Sequence, residues 1–140
     1  MKLLKHLTLA IAMMAFGSSN VSAQDVKVPQ AYMFGFAASF NDSTVYFTNI
    51  QKVDSVWVAK KKKMLSGRNH YSYQLREFFA QKRQQPNRTC VVVANVDRKK
   101  LEKKYIKMKN KYLANSKKPY DVRTVSEEEF KFLPVDMSEQ

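Results

Sequence analysis

Between Ala31 and Phe40 the chain alternates strictly: Tyr32, Phe34, Phe36, Ala38 and Phe40 stand at every second position, with Ala31, Met33, Gly35, Ala37 and Ser39 between them. A period of two places one set on each side of an extended backbone, so the stretch reads as a β-strand with one aromatic face. That face has to be covered, and this constrains the fold more than any other feature of the chain. Asn41-Asp42-Ser43 is a turn cluster, and Thr44 to Ile50 is again rich in β-branched and aromatic residues. A β-hairpin is the simplest assembly.

Beyond Val53 the pattern loosens. Val53, Val56, Trp57, Met64 and Leu65 fit a helical stripe, whereas Val56-Trp57-Val58 alone fits a strand. A short helix ended by Ser66-Gly67 is the favoured reading. Tyr71, Leu75, Phe78 and Phe79 recur at helical spacing ahead of Pro86, which predicts an amphipathic helix from about Ser72 to Gln84. Thr89 to Ala94 is β-prone and apolar on both faces, as a central, doubly covered strand would be. Asp97 is placed to cap a helix whose stripe of Leu101, Tyr105, Met108 and Tyr112 runs toward Pro119. The final strand falls at Tyr120 to Val125 or at Phe130 to Val135. The order β-β-α-α-β-α-β implies an α+β fold: a two-layer sandwich on a mixed sheet of about four strands, with the Cys90 strand parallel to a neighbour.

The 140 residues carry 25 Lys and Arg against 12 Asp and Glu, a net charge of +13, yet 44% are hydrophobic, which excludes intrinsic disorder. Lys2 and Lys5, the apolar run Leu7 to Phe16 and Val21-Ser22-Ala23 form a signal-peptide pattern, with cleavage expected between Ala23 and Gln24. Its apolar run falls short of the roughly 20 residues of a spanning helix. The expected product is one exported domain, 24–140, periplasmic or secreted, with a short acidic C-terminal tail and no transmembrane segment.

The charge is uneven. Lys60 to Lys118 holds 19 basic and three acidic residues, a block of +16 between near-neutral and acidic flanks. Lys60, Lys61, Lys62 and Lys63 form one run, and Lys99, Lys100, Lys103, Lys104, Lys107 and Lys111 lie opposite the apolar stripe of their helix. These ten lysines are the candidate anion-binding set, and the partners they suit are a lipid headgroup, a glycan or an acidic protein. Nucleic acid is not expected, because export removes the chain from it and Tyr105 and Tyr112 sit on the buried stripe rather than beside the cations. The alternative use of the set is simply as a solvated surface.

Two further readings compete. A small hydrolase or thiol enzyme would pair Cys90 with His70, although a thiol in the middle of a strand is ordinarily a core residue. An accessory subunit of an envelope assembly would pair the edge of the Tyr32 to Phe40 strand with a partner. No carboxylate pair is singled out by spacing. One cysteine and two histidines leave no set for a structural zinc, the mature chain has no glycine-rich phosphate loop, and no cofactor is expected.

In the wording of Tyr46-Phe47-Thr48-Asn49-Ile50-Gln51, Tyr71-Ser72-Tyr73-Gln74-Leu75-Arg76 and Asn87-Arg88-Thr89-Cys90-Val91-Val92 the chain resembles small signal-bearing exported proteins of Gram-negative anaerobic bacteria. That group has no established activity. The resemblance implies an envelope location and carries no site residue.

Overall fold

The computed structural model describes residues 25–60, 64–114 and 117–138. The elements are β1 (Asp25–Ala38), β2 (Thr44–Thr48), β3 (Gln51–Ala59), α1 (Arg68–Gln81), β4 (Thr89–Asn95), α2 (Arg98–Leu113) and β5 (Asp121–Val125). The chain adopts an α+β sandwich on a mixed sheet, with a fifth strand supplied by β3. The expected signal segment lies outside the described residues.

β1 is the centre of the sheet. Its Phe36 and Ala37 pair with Phe47 and Tyr46 of β2 on one side and with Val91 and Cys90 of β4 on the other, antiparallel in both cases. β3 continues β2 along the same side of β1, with Met33 opposite Gln51 and Asp25 opposite Ala59. From the Phe36–Phe47 pair to the Met33–Gln51 pair, two intervening residues on β1 face three on the partner. This extra residue is a bulge. The Thr48 hydroxyl accepts from the Gly35 N–H there at 2.8 Å, which satisfies the donor locally. β5 pairs in parallel with β2, Thr44 opposite Asp121.

Alternation along β1 divides the interior in two. The aromatic face, Tyr32, Phe34 and Phe36, packs with Val45, Phe47 and the α2 stripe of Leu101, Tyr105, Met108 and Tyr112. Phe34 meets Tyr105 edge-on at 4.9 Å, and Phe36 lies 5.1 Å from Tyr112. The small face, Ala31, Met33 and Ala37, receives the large residues of α1, Tyr71, Leu75 and Phe79, together with Phe130 and Phe132 from the C-terminal segment. Gly35 belongs to this face, and a Cβ there would stand 2.4 Å from Leu75 Cδ2. Each face of β1 is matched in size to the helix over it, so the helices cover opposite sides of the sheet.

Three expectations are corrected. Val53 to Leu65 is not a helix: residues 51–59 form β3, and Gly67, at φ 72°, precedes α1 as its N-cap instead of ending a helix. The helical spacing of Val53 and Val56 has a strand origin. Pairing skips Pro29 and Ser55, Ser55 adopts φ 55°, and Val53, Val56 and Val58 all reach the same core, so β3 changes face within one step. Second, β4 is neither central nor parallel to its neighbour; its only partner among the described strands is β1, antiparallel. Third, the Tyr32 to Phe40 strand is not an edge strand: β4 lines it on one side along Tyr32–Ala38, and β3 and β2 line it on the other. Of the two candidates for the last strand, Asp121–Val125 is the strand, while Phe130 and Phe132 enter the core without sheet pairing.

Candidate functional site

α2 begins where the sequence places it. The Asp97 carboxylate accepts from the N–H groups of Lys99 and Lys100 at 3.0 and 3.4 Å, satisfying donors that the first turn leaves open. With its stripe buried against Phe34 and Phe47, the helix turns Lys99, Lys100, Lys103, Lys104, Lys107 and Lys111 to solvent, and all six are exposed. At about 100° per residue they fall in one arc of about 140°. The only acidic side chain of α2, Glu102, lies outside that arc and pairs with Arg98 at 2.9 Å.

The arrangement is electrostatically unfavourable by itself. Lys99, Lys103, Lys107 and Lys111 follow one another at i, i+4, and each such like-charge pair costs a helix about 0.2–0.5 kcal/mol. Solubility is served equally well by charges of both signs, which would carry no such cost.

Lys60 is exposed in the turn after β3, and Lys61, Lys62 and Lys63 lie outside the described residues. The turn is closed by the Ala59 N–H donating to the Met64 carbonyl at 2.8 Å. Met64 in turn shares the walls of a cavity of about 170 Å³ with Lys104 of α2. Of the ten candidate lysines, Lys104 is the one that lines this cavity among the described residues.

No family model, curated protein or solved structure matches this chain. The functional reading consequently rests on the geometry.

Cys90 Sγ lies 3.9 Å from the Arg88 carbonyl oxygen, packed against the α1-side core, and burial pushes the thiol up to about 11 against the weaker pull of Arg76 and Arg88. A thiol so held is protonated at neutral pH and is a poor nucleophile. His70 is exposed on the first turn of α1, and among the described residues no hydrogen bond joins it to Cys90. Arg88, by contrast, is a buried cation with a structural role. It donates to Asp42 Oδ2 at 2.7 Å, to the Thr44 carbonyl at 2.8 Å and to Gln85 Oε1, and stacks 4.9 Å from the Tyr46 ring.

The sequence reading contained no sign of a second cavity, of about 310 Å³, beside the β1–β2 turn. Phe36, Phe40, Val91, Tyr112, Lys118 and Tyr120 are among its walls. Tyr112 and Tyr120 meet edge-on at 4.9 Å, and Lys118 Nζ lies 5.4 Å from the Tyr120 ring. These side chains come from β1, the turn, β4, α2 and the segment before β5, which is why no local pattern announces the cavity.

Proposed function

We propose that this chain is an exported, non-catalytic domain that presents the lysine face of α2 to an anionic component of the cell envelope, a lipid headgroup or a glycan, or to an acidic protein. The single observation that carries the reading is the arc of six exposed lysines with no acidic side chain among them. An anionic surface relieves the repulsion along the Lys99–Lys111 row, and near such a surface each lysine is worth about 1 kcal/mol. The contact is mainly electrostatic, since α2 turns Leu101, Tyr105, Met108 and Tyr112 into the domain and leaves only Ile106 and Leu113 as exposed bulky apolar residues.

The test is retention of the full chain on heparin and on vesicles containing anionic lipid, across a salt gradient. Binding at low salt that is released as the Debye length shortens supports the proposal. Failure to bind either material at low salt overturns it. Glutamine at Lys99, Lys103, Lys107 and Lys111 should move release to markedly lower salt.

A further inference from the structure

We propose that the open edge of β4 is a docking site for an extended acidic segment of another protein, which adds to the sheet as a strand beyond β4. Among the described strands β4 pairs only with β1, so Thr89–Asn95 presents one row of backbone donors and acceptors to the outside. The edge is not bare. Residues Val92, Val93 and Ala94 form part of the wall of the 170 Å³ cavity, with Met64, Arg68 and Lys104 around them. Arg68 Nε donates to the Val92 carbonyl at 3.2 Å, a side chain standing where a neighbouring strand would bond.

Three observations define the occupant. First, Thr89 and Val91, at one end of β4, are among the walls of the large cavity, whose aromatic lining suits an apolar side chain. Strand addition typically works this way, with backbone bonds giving affinity and flanking pockets giving specificity. Second, large apolar residues stand exposed at the two cavities and just after β4: Phe40 at 104% lines the larger cavity, Met64 at 50% lines the smaller, and Val96 at 43% follows the strand. Third, the charged groups lining the smaller cavity, Arg68 and Lys104, are both basic. An apolar anchor with carboxylates at even spacing from it meets all of these, because residues two apart share a face of a strand.

A second copy of this chain fits poorly. Pairing two β4 edges brings Arg68 and Lys104 of each toward their counterparts, between chains that each carry +13. Of the other two strands with a side unpaired among the described strands, β5 is five residues long, and β3 already carries an isolated bridge from Leu65 to Val58. This proposal stands apart from the lysine-face reading, as it depends on backbone pairing as well as charge.

The probe is the acetylated, amidated heptapeptide Phe-Val-Glu-Val-Glu-Val-Phe, which can lie along β4 in either direction, with a counterpart carrying proline for each valine. Both have the same charge, but proline cannot donate to a ladder. With the full chain, the valine peptide should slow amide hydrogen exchange across Thr89–Asn95 by about tenfold or more at saturation while leaving β5 unchanged, and the proline peptide should not. Lys104→Glu should weaken the effect about tenfold, as loss of a close charge pair does. Glutamine at Lys99, Lys103 and Lys111, positions that do not line the smaller cavity, should reduce heparin retention and preserve the peptide's effect, so the two readings fail separately. Equal action by both peptides, protection at β5, no protection of β4, or loss of the effect in the glutamine variant would each overturn the proposal. Concentration-dependent protection of β4 without peptide would assign the edge to a second copy instead.

Discussion

Gln51 on β3 accepts a hydrogen bond from the Phe132 N–H at 2.8 Å, across 81 residues of sequence. The same carboxamide donates to the Phe130 carbonyl at 2.8 Å and is 1% exposed, so one side chain fastens the C-terminal segment to the sheet. Gln51→Ala strands a carbonyl and an N–H in an apolar interior at about 1–3 kcal/mol each. The urea midpoint should fall accordingly, and the Phe132 amide should exchange faster than those of β1. A midpoint equal to that of the parent protein would show that water or another group takes over both bonds.

Gly35 leaves room for Leu75. Gly35→Ala places a Cβ against Leu75 Cδ2 and 3.2 Å from Phe132 Cζ, in a core where Leu75 is fully buried. Overpacking of this kind costs about 1–3 kcal/mol, and Leu75→Ala costs about 2–5 kcal/mol through the cavity it leaves. The double variant should be less destabilised than the two singles added together, since the new methyl partly fills the space vacated. Additive denaturation energies would show that the two positions do not touch in the way described.

The Arg88 guanidinium, through its hydrogen bond to the carboxylate, and then the Thr44 N–H, hold Asp42 below the usual carboxylate range. A depressed native pKa means the interaction stabilises fully above the unfolded value of about 3.9 and is lost as pH falls through the lower native value. Parent protein and Asp42→Asn should therefore differ by a constant amount between about pH 5 and 8, and converge on acidification below about pH 4. Melting temperatures across that range check this. A gap that widens in acid contradicts the assigned direction. Glu129, bonded to Ser126 and Arg83, is depressed in the same direction and steepens the acid limb in both proteins.

With its thiol raised to about 11, Cys90 should label slowly at pH 7 in the folded chain and rapidly in urea. Rapid labelling of the native chain that saturates near neutral pH would instead reveal a depressed thiol, and would revive the thiol-enzyme reading.

The lysine row sets stability against binding. Lys103→Glu with Lys107→Glu converts i, i+4 repulsions with Lys99 and Lys111 into attractions, which should raise stability by roughly 0.5–1.5 kcal/mol. The same variant should bind heparin more weakly. Loss of stability would mean that these lysines support the fold rather than a partner.

What was legible in the sequence was what local spacing encodes. The aromatic alternation of β1, the Asp97 cap, the α2 stripe and the lysine arc each depend on residues a few positions apart, and each occurs where the pattern puts it. The Val53–Val56 spacing misled because a strand that changes face at Ser55 reproduces the i, i+3 interval of a helix. The apolar Thr89 to Ala94 run misled because both of its faces are covered, by α1 and α2, and pattern alone does not distinguish an edge strand covered on both faces from a central one.

The sequence by itself determined the types of all elements but β3, the buried faces of β1 and of both helices, and the uneven charge, because side-chain periodicity and capping are short-range properties. Only the tertiary structure decided that β1 lies at the centre and β4 at an edge, that the helices cover opposite faces, and that six segments line one aromatic cavity. Those outcomes depend on which strands pair across long stretches of chain. The closing contacts, such as Gln51 with Phe132, carry no local signature because their partners meet only when the whole sheet has formed.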